Sequence, residues 1–297
     1  MAPMKKLPPI LAVLLTALLL PTFAGSAWAA KAPLRVTVSI LPQVWFAERI
    51  GGDQIQVRAM VGPGHSPATF EPTSRQMADL EQSSVFFSAG VPFENGLLRR
   101  IAGLKNALPI HGPRSQGGHA HHNHDGRDHH HGDLDPHFWL DPMQAAAMAD
   151  TMAHVLAELD PTHATDYRQR ADKLRQEMIA LRREIEGILE PVRGRSFFVY
   201  HPAYGHFAAA FGLRQEAIEV GGREPGPRQL AQTIERIKEQ GARVIVVQPQ
   251  FSRKSAESIS RATGAVLLPL DPLATAYTEN LRHIATELAT ALQGEKP

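Results

Sequence analysis

The longest regular pattern in the chain is a stripe of apolar residues spaced alternately by about four and three positions. Its members are Tyr167, Ala171, Leu174, Met178, Leu181, Ile185 and Ile188. This spacing is typical of one face of an α-helix, and it predicts a single helix of about 25 residues, roughly 38 Å long. A coiled-coil dimer would use the same spacing, but about three and a half heptads between α/β segments favour a helix packed along its own protein. Such a helix is long enough to bridge two lobes.

Strand-like and helix-like segments alternate on both sides of this stripe. Before it, the strand patterns cover residues 34–40, 55–61 and 85–87, and the helical patterns cover 43–50, 73–82, 95–102 and 142–159. After it, the strand patterns cover 196–200, 214–218, 243–247 and 265–268, and the helical patterns cover 207–211, 228–240, 255–263 and the segment from Thr278 onward. This alternation is typical of mostly parallel sheets flanked by helices. We therefore predict an α/β protein of two similar lobes joined by one long, rigid linker helix.

The first thirty residues are typical of a cleavable signal peptide. Lys5 and Lys6 form a positive start, residues 10–20 are apolar but too few to span a bilayer, and residues 27–29 offer a small-x-small cleavage pattern. We expect residues 1–30 to be removed when the chain is exported. For the rest of the chain we predict an N-terminal lobe over 31–162, the linker helix over 163–190 and a C-terminal lobe over 191–297.

The chain contains no cysteine. An exported protein tethered as a bacterial lipoprotein needs a cysteine directly after its cleavage site, so we expect a free periplasmic protein without a membrane anchor. The same absence excludes disulfides and thiolate metal sites, so any metal must be bound by His, Asp or Glu. The 31 basic and 30 acidic residues nearly cancel, which gives no reason to expect nucleic acid or an anionic membrane as a partner.

A histidine-rich tract lies in a segment with no apolar periodicity, which we predict to be a mobile loop over residues 114–133. Its histidines are His119, His121, His122, His124, His129, His130 and His131. Neutral imidazole is the commonest nitrogen ligand for zinc, copper and nickel, so the tract indicates a protein that handles a transition metal. Flexible ligands must be ordered on binding, so we expect a secondary, weak zinc site here. Capture of scarce zinc, sensing of zinc abundance and a merely solvated loop all stay open as its role.

Four other residues lie where strands or loops end at the rims of the predicted lobes. Open α/β sheets bind ligands at the carboxyl ends of their strands. His201 and Asp271 follow strands of the second lobe, His65 follows a strand of the first lobe, and His137 lies in a loop that leads into a helix. Two candidates per lobe predict a metal held in the cleft between the lobes. We interpret His206 as a packed or surface residue rather than a ligand.

Four ordered motifs resemble a known family. They are GHSPATFEPT at 64–73, DPHFWLDP at 135–142, VYHPAYGHFA at 199–208 and LDPLA at 270–274. In order and spacing they resemble the periplasmic metal-binding proteins of zinc and manganese ABC importers, the ZnuA and TroA-like group. The resemblance covers essentially the whole mature chain, including the long helix and the position of the histidine-rich loop. It implies that His137 and His201 are metal ligands and that Asp271 is the carboxylate ligand.

The first of these motifs departs from the family pattern. Members usually read PHTYEP or a similar sequence, and the histidine of that pattern falls on Ala68 here. His65, three residues earlier in the same loop, is the nearby imidazole, and we predict it as the first-lobe ligand. Otherwise the site has three protein ligands and a water, or it uses Glu71 or a histidine of the tract. The difference matters because a zinc ion with an open position activates water, whereas a closed four-coordinate one does not.

The donor set favours zinc over manganese. Three imidazoles and one carboxylate suit a tetrahedral zinc shell, whereas manganese prefers more oxygen donors. The resemblance also implies glutamate at the third-ligand position in the manganese branch, where this chain has His201. Together with the histidine-rich tract, this predicts Zn²⁺ as the bound metal. Copper and nickel bind such donors too, so selectivity depends partly on which metal is available.

The resemblance implies a high-affinity zinc-binding periplasmic component of an ABC importer that delivers Zn²⁺ to a membrane permease. A periplasmic zinc chaperone is a second partner to consider, and we expect a monomer. A carrier of manganese or another divalent metal, and an exported zinc metallochaperone on the same fold, stay open as alternatives. A zinc hydrolase is less favoured because the chain has no HExxH motif, and we expect no enzymatic activity.

Overall fold

The computed structural model describes residues 32–101, 109–110, 135–219, 226–251 and 253–294. The predicted signal peptide and the histidine-rich tract, with all seven of its histidines, lie outside the described residues. Contacts between residues group Pro33–Pro297 into one compact unit, which contains both lobes. Within the described ranges, no helix is both long and apolar enough to span a membrane.

The first lobe is built on a four-stranded parallel sheet of order β2-β1-β3-β4. Its strands are β1 (Leu34–Val38), β2 (Ile55–Ala59), β3 (Val85–Phe87) and β4 (Pro109–Ile110). The helices of this half are α1 (Leu41–Gly51), α2 (Ser74–Glu81), α3 (Glu94–Ile101) and α4 (Pro142–Leu159). The central strands are buried on both faces, as a parallel sheet covered by helices requires.

The second lobe repeats this topology, with the sheet order β6-β5-β7-β8 and all strands parallel. Its strands are β5 (Ser196–Val199), β6 (Arg214–Ala217), β7 (Val244–Val247) and β8 (Val266–Pro269). Its helices are α6 (Gly205–Ala210), α7 (Pro227–Glu239), α8 (Lys254–Thr263) and α9 (Tyr277–Gln293). Because the two sheets have equivalent strand orders, each lobe presents an equivalent carboxyl edge at which a ligand can be bound.

The predicted long helix is α5 (Ala164–Leu189), which has 26 residues and lies between the two lobes in sequence. Its buried stripe follows the predicted spacing from Tyr167 to Ile185 and ends on the fully buried Leu189, while Ile188 is only partly buried. The difference has a simple cause, since a straight helix with 3.6 residues per turn drifts away from a strict seven-residue repeat. The stripe packs against α4 and α9, within one chain.

One hydrophobic cluster continues from the first lobe through α5 into the second lobe. It includes Val36 and Phe46 from the first lobe, Met178 from α5, and Phe197 and Ile284 from the second lobe. Separation of the lobes would expose this shared apolar surface to water, which is unfavourable. The fold therefore allows small relative shifts of the lobes more readily than a wide hinge motion.

Buried hydrogen bonds also join the lobes beside the cleft. The Trp139 indole, which is fully buried, donates from Nε1 to the Pro272 carbonyl at 2.8 Å. In the other direction, the Tyr277 hydroxyl donates to the Trp139 carbonyl at 2.6 Å. Burial raises the pKa of Tyr277 well above its usual value, so this hydroxyl keeps its proton and remains a donor. These bonds hold the short turn that precedes α4 against Pro272, which follows β8, and against Tyr277, which begins α9.

The predicted α/β class is confirmed, with parallel sheets flanked by helices in both lobes. The sequence patterns miss β4, which has two residues and begins with Pro109. Two residues cannot display an alternating pattern, and proline is depleted in strands because it has no N–H to donate. The strand exists because it pairs with β3 at the edge of the sheet.

Candidate metal centre

Two predicted ligands meet at the carboxyl edges of the two sheets. His201 follows the end of β5, and His137 precedes the short turn that leads into α4. Their ring centroids lie 5.4 Å apart, with the ring planes nearly perpendicular. Both rings line a cavity of about 550 Å³ between the lobes, together with Ala68 and Val91 from the first lobe and Phe251 from the second. The structure therefore brings one imidazole from each lobe into a common cleft.

The His137 ring is held by the carboxylate of Asp135, two residues before it. Asp135 Oδ1 accepts the backbone N–H of His137 at 3.0 Å and its ring Nδ1–H at 2.7 Å. Since a carboxylate only accepts, the ring proton lies on Nδ1 and Nε2 keeps its lone pair. The imidazole is 12% exposed and lies beside the Trp139 ring at 5.2 Å. This arrangement fixes both the tautomer and the orientation of a histidine that can bind a metal through Nε2.

The His201 ring is held in the same way by a carboxylate of its own lobe. Its Nδ1–H donates to Glu219 Oε2 at 2.8 Å, and the Glu219 side chain is 4% exposed. The ring stacks on Phe251, with centroids 4.5 Å apart and an angle of 23° between the planes. The Gln248 amide completes the support, since it accepts from the His201 backbone N–H at 3.3 Å and donates to its carbonyl at 2.7 Å. Nε2 of His201 is again the nitrogen left for a ligand.

The protonation states at the His137 pair suit a cation. Burial lowers the pKa of His137 below its usual value, and this effect exceeds the opposing attraction of Asp135. Burial would raise the pKa of Asp135, but the hydrogen bonds and charge of His137 outweigh it and the pKa is lowered. At neutral pH the pair is therefore a neutral imidazole beside a carboxylate, and a neutral imidazole is the form that binds metal.

Asp271 lies after β8, beside the cleft. Its Oδ1 accepts from Gln250 Nε2 at 2.6 Å and from the Leu273 backbone N–H at 2.9 Å, and both of these residues line the cavity. The assignment of Asp271 as the carboxylate ligand stays a prediction.

The first lobe presents Ala68 to the cleft, as the departure from the family motif implies. His65 is exposed and lines a neighbouring surface depression with Phe70 and Glu71. Its Nδ1–H donates to the Pro63 carbonyl at 3.1 Å, within the same loop. The structure thus does not bring His65 to the other candidates, and a role as ligand requires this loop to turn towards the cleft. His65 as the first-lobe ligand stays a prediction for the metal-loaded protein.

Among the described residues, no group of three or more His, Cys, Asp or Glu side chains lies close enough together to hold a metal ion. In that part of the chain, His137 and His201 form an imidazole pair, and Asp271 contacts two other residues that line the same cavity. A complete coordination shell therefore needs a small closure of the cleft, a ligand from elsewhere in the chain or a water molecule.

Sequence reasoning misses the residues that orient the two imidazoles. The role of Asp135 could have been predicted from the sequence, because it stands two residues before His137, where its side chain can reach the ring. The role of Glu219 could not, since it is 18 positions from His201 and reaches it through the pairing of β5 with β6. Gln248 is likewise brought to His201 by the neighbouring strand β7.

Residues 36–291 match the family model described as ZnuA, the zinc-uptake complex component A, periplasmic. The chain belongs to the ZnuA family. The resemblance inferred from the four motifs is thereby confirmed, and it extends over both lobes and α5.

Individual ZnuA proteins show the extent of the similarity. A high-affinity zinc uptake system protein ZnuA of Brucella abortus is 34% identical over 170 residues, which cover 54% of this chain and 51% of that protein. The match thus spans about half the length of this relative. A crystal structure of ZnuA superposes with a TM-score of 0.78 at 34% identity and covers 88% of this chain and 99% of its own. A ZnuA deletion mutant with zinc bound gives a TM-score of 0.77, also at 34% identity, and covers 89% and 99%.

Proposed function

We propose that the protein is the zinc-binding periplasmic component of an ABC importer, which captures Zn²⁺ and delivers it to a membrane permease. One observation carries the proposal: an imidazole from each lobe meets in the cleft, and each has its Nδ1–H engaged by a carboxylate so that Nε2 is available. Support comes from membership of the ZnuA family, which is described as the periplasmic component A of a zinc-uptake complex. A relative whose structure contains zinc has the same fold.

The proposed ligands are Nε2 of His137, Nε2 of His201 and the carboxylate of Asp271. The fourth position lies on the first-lobe side, where His65 is the predicted donor and Ala68 forms the present cleft wall. Carboxylate partners on Nδ1 raise the basicity of imidazole ligands and typically improve metal affinity by about 10–100-fold. This donor set of nitrogen with a single carboxylate suits zinc better than manganese.

The contacts between the lobes indicate how zinc is held. The hydrated ion sheds water as the imidazoles bind it, and any proton on His137 or His201 is released. The continuous core and the Trp139–Pro272 hydrogen bond limit closure to small shifts around the metal. The loaded protein then presents its altered cleft rim to the permease.

We propose further that it acts as a monomer, free in the periplasm after removal of residues 1–30, with lobe boundaries at 31–162 and 191–297.

The histidine-rich tract is proposed as a separate and weaker zinc site. Seven imidazoles in a polar segment bind zinc with a cost in ordering that the pre-oriented pair in the cleft does not incur. In the sequence, the tract directly precedes Asp135 and the proposed ligand His137. We propose that zinc captured by the tract is passed on to the tighter site in the cleft.

Zinc titration by calorimetry tests the proposal. We would compare the mature protein, a variant lacking residues 115–133, and the His137→Ala and His201→Ala variants of the shortened protein. One tight site that survives the deletion and is lost in both alanine variants is expected. His154→Ala is the matched control, because His154 is exposed on α4 and pairs only with Glu158 among the described residues. Loss of tight binding on deletion alone, or turnover of test esters by the zinc-loaded protein, would overturn the assignment.

A further inference from the structure

His206 lies between the two lobes, beside the cleft but outside its wall. It belongs to α6 of the second lobe, and its ring makes two hydrogen bonds to the first lobe. Nδ1 is 2.8 Å from Gln144 Nε2 in α4, and Nε2 is 3.0 Å from the backbone carbonyl of Asp135. The ring thus joins the second lobe to the same short segment that carries His137.

The neighbours of His206 determine which nitrogen carries the proton. Gln144 Nε2 also donates to Asp141 Oδ2 at 3.2 Å, and a flipped amide would place its oxygen against that carboxylate. The amide nitrogen therefore faces His206, and Nδ1 must accept. The ring proton consequently lies on Nε2 and is donated to the Asp135 carbonyl. Asp141 is itself fixed as the N-cap of α4, where its Oδ1 accepts from the Met143 backbone N–H at 2.9 Å.

Asp135 is therefore held through both its backbone carbonyl and its side-chain carboxylate. His206 binds its backbone carbonyl, while its carboxylate binds the backbone and ring of His137. The second carboxylate oxygen, Oδ2, packs so closely on Gly205 that any side chain at position 205 would collide with it. The α6 residues Gly205 and His206 therefore fix the position of Asp135, and through Asp135 they determine where the His137 ring points.

We propose that His206 is a positioning residue of the zinc site, which orients the proposed ligand His137 from the second lobe through Asp135. His206 donates no electron pair to the metal in this role, because both of its nitrogens are engaged. The consequence is that His137 is preorganised only while the lobes are docked, so metal affinity depends on the contact between the lobes. The inference rests on the proposed function, since it concerns the same zinc site.

The test uses the full mature chain with zinc buffered by a high-affinity chelator, so that only the tight site is measured. His206→Phe keeps a ring of similar size but removes both hydrogen bonds, and it is expected to weaken zinc binding about tenfold or more. His154→Phe is the matched control and is expected to bind zinc as the unaltered protein does. Nitrogen-15 NMR of the metal-free protein provides an independent measurement, with His206 protonated on Nε2 and His137 on Nδ1.

A double-mutant cycle separates positioning from general destabilisation. In an Asp135→Asn background, His206→Phe should add little, because both changes interrupt one path to His137. In a Glu219→Gln background the two losses should multiply, because Glu219 supports His201 independently. Multiplying losses in both backgrounds would overturn the proposed path.

The outcomes distinguish this inference from the proposed function. If the unaltered protein has no tight zinc site, the proposed function fails. If it binds zinc tightly and His206→Phe binds it equally well, only the role of His206 fails. Should His206→Phe not fold, Gln144→Met tests the same path, since it leaves His206 in place and removes the donor to Nδ1. Unchanged zinc affinity in that variant would then overturn the inference.

Discussion

Gly205→Ala is the substitution for which the structure makes the sharpest prediction. A Cβ at this position would lie closer than 3.0 Å to Asp135 Oδ2, a separation that real Cβ atoms do not adopt. To restore ordinary van der Waals contact, the carboxylate has to move by about 1 Å. Such overpacking typically costs about 1–3 kcal/mol, against a gain of about 0.4–1 kcal/mol from a less flexible unfolded chain. We expect a net loss of roughly 1–2 kcal/mol in the free energy of unfolding.

The same displacement should weaken zinc binding. A shift of about 1 Å lengthens the 2.7 Å hydrogen bond from His137 Nδ1 to Asp135 beyond the useful range for such bonds. Loss of a carboxylate partner on a ligand histidine typically lowers metal affinity by about 10–100-fold. Zinc affinity, measured by competition with a chelator, should fall within that range.

Gly187→Ala is the matched control for stability. Gly187 is exposed in α5, and an added Cβ would meet nothing within 4 Å. The same chemical change should therefore stabilise the protein by about 0.5–1 kcal/mol. Urea denaturation would give both values, provided that the dependence on urea is the same in all variants. A Gly205→Ala protein as stable as the Gly187→Ala protein, with unaltered zinc affinity, would refute the proposed packing of Asp135 on Gly205.

Three further changes have expected outcomes. Glu219→Gln removes the charge behind His201 and should weaken zinc binding about tenfold in a chelator competition assay, and unaltered affinity would argue against its supporting role. Trp139→Phe leaves the buried Pro272 carbonyl without its donor and should cost about 1–3 kcal/mol in urea denaturation, whereas a neutral effect would show that the bond between the lobes contributes little. Burial lowers the pKa of His137 in the folded protein, so the unfolded chain binds the extra proton first as pH falls. The free energy of unfolding of the metal-free protein should therefore decrease as the pH is lowered from about 7.5 to about 5.5. The His137→Gln variant should show a smaller decrease. An identical decrease in the two proteins would contradict the lowered pKa.

The parts of the fold that the sequence predicts are those with long, regular patterns. The stripe in α5 extends over about six turns, and the strands β1, β5 and β7 are flanked by helices that bury them on both faces. In each case the local pattern and the tertiary environment agree. The two-residue strand β4 depends instead on its neighbour β3, and a tertiary contact of that kind leaves no periodic trace in the sequence.

The candidate site likewise has residues that the sequence predicts and residues that it does not. His137 and His201 are predicted because each lies in a motif whose context is local, and the structure places both in the cleft. His206 is interpreted from its sequence as a packed or surface residue, and its bridge to Asp135 appears only when the lobes are docked. The first-lobe donor is the least predictable part. Its position depends on a loop conformation, and the chain has Ala68 where the motif supplies a ligand.

Anomalous diffraction at the zinc absorption edge, from zinc-loaded crystals of the mature protein lacking residues 115–133, tests the central claim most directly. The account predicts one strong peak in the cleft, about 2.0–2.1 Å from Nε2 of both His137 and His201. The same map would identify the remaining ligands among Asp271, His65, Glu71 and water. A protein that binds zinc tightly but whose peak lies away from either imidazole would contradict the account.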